Sequence, residues 1–118
     1  MQKVLYGFSQ EAACELGLDL VDLLLLRWFV RFSESGNMVK KEIAGETYYW
    51  VNYSGVCDNY PILNVQKTVI YRHFKKMADK GILKRYTLKV NGTYSLYNLD
   101  EEYEKLLIEE QVVDDDAV

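Results

Sequence analysis

The chain is poor in the residues from which small reactive sites are built. It has one histidine, His73, and two cysteines, Cys14 and Cys57, in 118 residues. Neither cysteine belongs to a CxxC pair, so a zinc site lacks ligands at the right spacing and a disulfide framework lacks members. Two buried thiols of a reduced protein are expected instead. A single proline and seven glycines leave little material for linkers. The longest apolar stretch, residues 23–30, contains Arg27 and falls short of the ~20 residues needed to span a bilayer. The opening MQKVLYGFSQ lacks the charged-then-apolar build of a signal peptide. A cytoplasmic location with no membrane contact is expected. Positive charge is scarce as well: 14 bases against 18 acids give a net −4. That balance argues against indiscriminate coating of nucleic acid or anionic lipid, though not against a local basic face.

What is present suits a single small core. Apolar residues make up 49% and aromatics 14%, ten of the latter being Tyr, so large side chains can fill one domain. Ser9 is a good cap and Gly17 a good stop for a short helix over 10–16. Asp19 caps the next helix, over 20–33, with Asp22 in the first turn where the helix dipole favours an anion. This helix is apolar on nearly every face, which suits either the centre of the core or a homodimer seam. The β-prone runs around Ala44-Gly45-Glu46 predict a hairpin over 38–51. Asn52 caps a short helix over 53–58, Pro61 stops it, and Asn64 caps a longer helix over 65–80 that Gly81 closes. Asn91-Gly92 between two alternating runs is a strong hairpin signal, because both residues tolerate positive φ. A last helix is expected over 100–111, and an acidic tail over 112–118 is expected to be disordered. Two helices, a hairpin, then short helix, turn, long helix and hairpin predict an α+β fold. The order is that of a winged helix-turn-helix, expected as a single domain over 1–111 that includes an additional N-terminal helix pair and β-hairpin.

The long helix has two faces. Val69, Ile70, Phe74 and Met77 form an apolar stripe that must pack inward. Lys67, Thr68, Tyr71, Arg72 and Lys75 form the opposite face, with Asn64, Gln66 and Lys76 at its margins. Cations and hydroxyls on one helix face are what major-groove reading requires: Arg or Lys bonds guanine, Thr bonds a base or touches a thymine methyl, and Tyr reaches a phosphate. A solvated stripe would look similar, and charge distribution separates the two. Residues 64–92 hold eight bases and one acid, a net +7, while the remainder holds six bases and 17 acids, a net −11. The positive charge is therefore concentrated in the helix and the hairpin after it, as a nucleic-acid face requires.

In that hairpin Arg85, Thr87 and Lys89 share one side, while Tyr86, Leu88 and Val90 are expected to cover the helices from the other. Lys84, Arg85 and Lys89 are assigned to the phosphate backbone. The helix before the turn, around Ser54-Gly55, has no Lys for a phosphate. His73, between stripe and basic face, is expected to be half-buried without an acidic partner, and Trp28 and Trp50 to be core. One His, no Gly-rich phosphate loop and no carboxylates clustered in a basic or apolar pocket make an enzyme the least expected class, and no cofactor, metal or small-molecule substrate is expected. The acidic carboxyl-terminal stretch is read as solubilising, or as a segment that competes with DNA for the basic face.

The pieces YYWVNY, PIL, TVIYRHFKKMADKGIL and NGTYS, spanning residues 48–99, resemble the N-terminal winged-helix domain of phage and plasmid replication proteins of Gram-positive bacteria. The TV…KK…KGIL portion is shared with many winged-helix regulators. The resemblance implies origin binding on double-stranded DNA and contact with host replication proteins. Transcriptional regulation, and a winged helix used only for protein contacts, stand as alternatives.

Overall fold

The computed structural model describes residues 3–108. The chain starts with a minimal antiparallel pair, β1 (Val4–Leu5) and β2 (Phe8–Ser9), turned through Tyr6 and Gly7 and not anticipated from the sequence. Ser9 then caps α1 (Gln10–Glu15), its hydroxyl accepting from the Ala12 N–H at 3.1 Å. The next helix, α2 (Leu20–Ser35), begins with a reciprocal capping box. Asp19 Oδ1 accepts from the Asp22 N–H at 2.8 Å, and Asp22 Oδ2 accepts from the Asp19 N–H at 2.9 Å. Gly36, at φ 82°, ends the helix in the left-handed conformation.

Two hairpins follow, separated in sequence by the remaining helices. The first is β3 (Lys40–Ile43) with β4 (Glu46–Trp50), turned at Ala44-Gly45. The second is β5 (Leu83–Lys89) with β6 (Thr93–Leu99), turned at Asn91-Gly92. They join into one antiparallel sheet of order β3-β4-β6-β5, because Tyr49 pairs with Tyr97 and Trp50 with Leu96. Between them lie α3 (Tyr53–Asn59), capped by Asn52, and α4 (Lys67–Asp79). The result is an α+β fold.

Asn64 does not cap α4. Pro61–Leu63 close a turn of 3-10 helix, and the chain leaves it through Asn64 at φ 51°, a conformation that Asn tolerates better than most residues. The long helix therefore starts at Lys67, with Gln66 in the cap position making no side-chain cap bond. The expected last helix is a 3-10 segment, Glu101–Leu106, whose following residue Leu107 bridges to Phe8. Leu107 and Ile108 are not helical, and residues 109–111 of that expected helix and the acidic tail lie outside the described residues.

The core lies between α2, α4 and one sheet face, with Phe29 of α2 edge-on to Tyr49 of β4. Phe74 is the hub: its ring lies 5.2 Å from Tyr97, 6.2 Å from Tyr53, 6.3 Å from Trp28 and 6.4 Å from Phe29. Ile70, Phe74 and Met77 are fully buried as the stripe predicts, and Val69 is half-buried. Three expectations about what faces the core fail. Tyr86, Leu88 and Val90 do not cover the helices, because the register places Leu83, Arg85 and Tyr97 on the helix-facing side. Trp50 shares the outer side with them, unlike Trp28, which packs on Phe74. Cys14 is exposed and Cys57 half-buried, and both are free thiols. Among the described residues, no helix is long and apolar enough to cross a membrane.

Candidate nucleic-acid interface

With Ile70, Phe74 and Met77 committed to the core, helical periodicity turns Lys67, Thr68, Arg72 and Lys75 to solvent and leaves Tyr71 half-buried at the edge. The β5–β6 hairpin lies beside this face. The Arg85 guanidinium sits over the Tyr71 ring, 5.1 Å from its centroid, and Tyr71 stands edge-on to Tyr53 at 5.7 Å. Tyr53 and Tyr97 share a hydroxyl–hydroxyl hydrogen bond of 2.7 Å. Burial, reinforced by that bond, pushes the Tyr97 phenol well above its ordinary range, so it stays a neutral structural group. Arg85 is thus seated on a rigid aromatic ladder that links α3, α4 and the sheet.

Toward the hairpin tip, a polar cleft of about 180 Å³ is lined by Ser54 of α3, Lys67 of α4, and Thr93 and Ser95 of β6. Thr93 pairs with Lys89 across the hairpin. Lys67 therefore supplies, beside Ser54, the cation that α3 itself lacks. Ser54 and Thr93 escape a sequence reading. Thr93 becomes legible only once the Asn91-Gly92 turn sets its register against Lys89.

The nine cationic and hydroxylic residues expected at the site divide into two groups. Lys67, Thr68, Tyr71, Arg72, Arg85 and Lys89 share the α4–hairpin surface, and among the described residues none of their cations has a carboxylate partner. Lys75 bonds Asp79 at 2.9 Å along its own helix but stays exposed. Lys84 bonds Glu46 Oε1 at 2.6 Å, on the outer side of the sheet. Lys76 turns away to Asp22 Oδ2 at 2.5 Å, with Asp19 at 3.6 Å.

Asp22 also corrects the expectation for His73, whose Nδ1 lies 2.7 Å from Asp22 Oδ1. Asp22 is completely buried. Burial pushes its pKa upward, but the bonds to His73, to Lys76 and to the Asp19 N–H outweigh that and hold the carboxyl below its ordinary range. Asp19, Asp22 and His73 together are close enough to share a metal ion. The Lys76 ammonium already meets the Asp22 charge, so the cluster reads as a pin holding α4 on α2.

No family model, curated protein or solved structure matches the chain. What the arrangement can do follows from its geometry: it offers a convex helix face carrying Arg72 and Thr68, flanked by cations at both ends of a neighbouring hairpin. That is suited to a groove bordered by phosphates.

Proposed function

We propose that the chain is a winged helix-turn-helix module that binds double-stranded DNA and does no chemistry. In this reading α3 and α4 are the helix-turn-helix and β5–β6 is the wing. Arg72, Thr68 and Tyr71 meet base edges in the major groove, while Lys67, Lys89 and Arg85 hold the phosphate backbone. Lys75 is at the groove margin, freed from Asp79 by a nearby phosphate. Lys76 and Lys84, expected at this surface, are assigned structural roles. A cytoplasmic location goes with this reading.

The observation that carries the proposal is the placement of Arg85 over Tyr71. It aligns the unpaired cations of hairpin and helix on one solvent-facing surface, although the chain as a whole is acidic. The preferred process is replication initiation in a phage or plasmid-type element, with host replication proteins as further partners. It rests on the resemblance of residues 48–99, and transcriptional regulation stands next to it.

Selection from a random duplex pool, followed by binding of the enriched site at several salt concentrations, tests the proposal. A defined motif with affinity falling steeply in salt is expected. Binding to heparin as tight as to every duplex would overturn it.

A further inference from the structure

The outer side of the four-stranded sheet is a second surface, which meets α4 only at the cleft that Trp50 and Tyr94 line together with Lys67. Strand alternation puts Tyr48 and Trp50 of β4, Tyr94 of β6 and Tyr86 of β5 on this side. They form two ring pairs, Tyr48 with Tyr86 at 6.1 Å between centroids and Trp50 with Tyr94 at 5.7 Å. Tyr86 is 40% exposed and the neighbouring Val39 is 61% exposed, so the patch is open to solvent. An apolar patch of this kind on a small protein commonly marks a binding surface.

The surroundings of the patch identify its occupant. A cleft of about 310 Å³ is lined by Trp50, Leu88 and Tyr94 together with the β3 residues Lys40 and Lys41, of which Lys41, paired with Tyr48, has its side chain on this side, and no carboxylate of the described residues lines it. Neither lysine has an acidic partner among the described residues. The outer side carries two strand bases, Lys41 and Lys84, and one of the two strand acids, Glu46, while Lys40, Arg85, Lys89 and the other acid, Glu42, fall on the opposite side. Glu46 is held by Lys84. The surface thus offers aromatic rings with one free cation, Lys41, at their margin. An apolar protein partner would match the rings and leave Lys41 without counter-charge. A nucleic-acid strand with unpaired bases supplies flat rings and phosphates together.

We infer that this outer face binds single-stranded nucleic acid, with bases stacking against Tyr86 and Trp50 and the backbone running past Lys41. It makes no use of Arg72 or Arg85, so the inference stands apart from the duplex-binding reading.

Fluorescence anisotropy tests it with three labelled probes: a mixed-sequence DNA 15-mer, the RNA of the same sequence, and the duplex of the DNA. The proteins are the full chain, Tyr86→Ala, Arg72→Ala and Lys41→Glu. Tyr86 is exposed enough for truncation to spare the core, and circular dichroism checks each variant. Tyr86→Ala is expected to weaken single-strand binding about tenfold, and the lysine variant to weaken it at least as much. Both should leave duplex affinity within twofold, whereas Arg72→Ala should do the reverse. The tighter of the DNA and RNA 15-mers names the natural strand. The inference is overturned if neither single strand binds, or if Tyr86→Ala and the lysine variant bind like the unmodified chain. It is also overturned if Arg72→Ala removes single-strand binding, or if sedimentation shows a dimer that Tyr86→Ala dissolves. Single-strand binding that follows Tyr86, with no duplex binding by any protein, would leave this inference standing and sink the α4 reading alone.

Discussion

Arg85 of the second hairpin lies over the ring of Tyr71 in α4, its guanidinium 5.1 Å from the ring centroid. The contact joins a strand to a helix at the point where both present charge to solvent. A cation over a ring in this setting contributes about 0.5–1 kcal/mol. Arg85→Ala should lower stability by about that amount in urea unfolding. It should also weaken duplex binding more than loss of one phosphate contact does, because the hairpin loses its seat on α4. Equal loss from Arg85→Ala and Lys89→Ala would show that Arg85 acts only as a charge.

Arg72 and Lys89 should separate reading from holding. Arg72→Ala is expected to cost about 1–3 kcal/mol on the selected site and to flatten preference at one base position. Lys89→Ala should weaken all duplexes alike and reduce the slope of log affinity against log salt by about 1. The measurement is anisotropy on the selected site and on single-base variants of it. A sequence-dependent effect of Lys89→Ala would contradict the assignment of the hairpin to phosphates.

Asp22 stabilises the packing of α4 on α2 only while it is ionised. Because its folded pKa lies below the ordinary value of 3.8, the unfolded state binds more protons as pH falls through that range. The contribution is complete above about pH 4 and is lost as pH drops toward the lower folded value. His73, Lys76 and Asp19 are the charged or titratable groups that meet it. Asp22→Asn is expected to cost about 3 kcal/mol at pH 7, since it removes the charge that meets Lys76 and leaves an acceptor for only one of Lys76 and His73. That deficit should narrow below pH 4, as seen by urea unfolding at pH 7, 5 and 3. A deficit that stays constant across the three would assign it to packing and not to charge.

Phe74→Ala should be the most damaging single change in the helix, costing about 3–5 kcal/mol, because four aromatic neighbours surround the cavity it leaves. Loss of a cooperative thermal transition would be the readout. Retention of most of the stability would mean that Tyr53 and Trp28 collapse into the space.

Ala44 occupies a left-handed position at φ 53° in the first hairpin turn, beside Gly45 at φ 83°. Alanine pays a steric penalty there that asparagine largely avoids. Ala44→Asn should raise stability by about 0.5 kcal/mol, a Tm increase of about 2–4 °C. A decrease would indicate that the turn changes type on substitution.

Most of the helices and both hairpin turns were legible in the chain, since caps, stops and turn residues act over three or four positions. Ser9, Asp19 and Asn52 cap the helices they precede in sequence. Asn64 misled for a local reason: Asn serves equally as a cap and as a left-handed exit, and the 3-10 turn after Pro61 took the second use. The two faces of α4 were equally legible, because helical period alone separates Ile70 and Phe74 from Lys67 and Arg72.

Tertiary structure decided what the period of two cannot. Alternation says that Arg85 and Tyr86 point to opposite sides, but not which side the helices occupy. Tyr97 settled that by pairing with Arg85 and packing on Phe74, which turned the basic side of the hairpin to α4 and the aromatic side to solvent. The fate of each lysine was likewise set by partners distant in sequence: Asp22 lies 54 positions from Lys76 and Glu46 lies 38 from Lys84. Local chemistry determined the segments and their amphipathic faces. Which faces met, and which charges were left unpaired on the surface, depended on long-range packing that no short stretch of residues encodes.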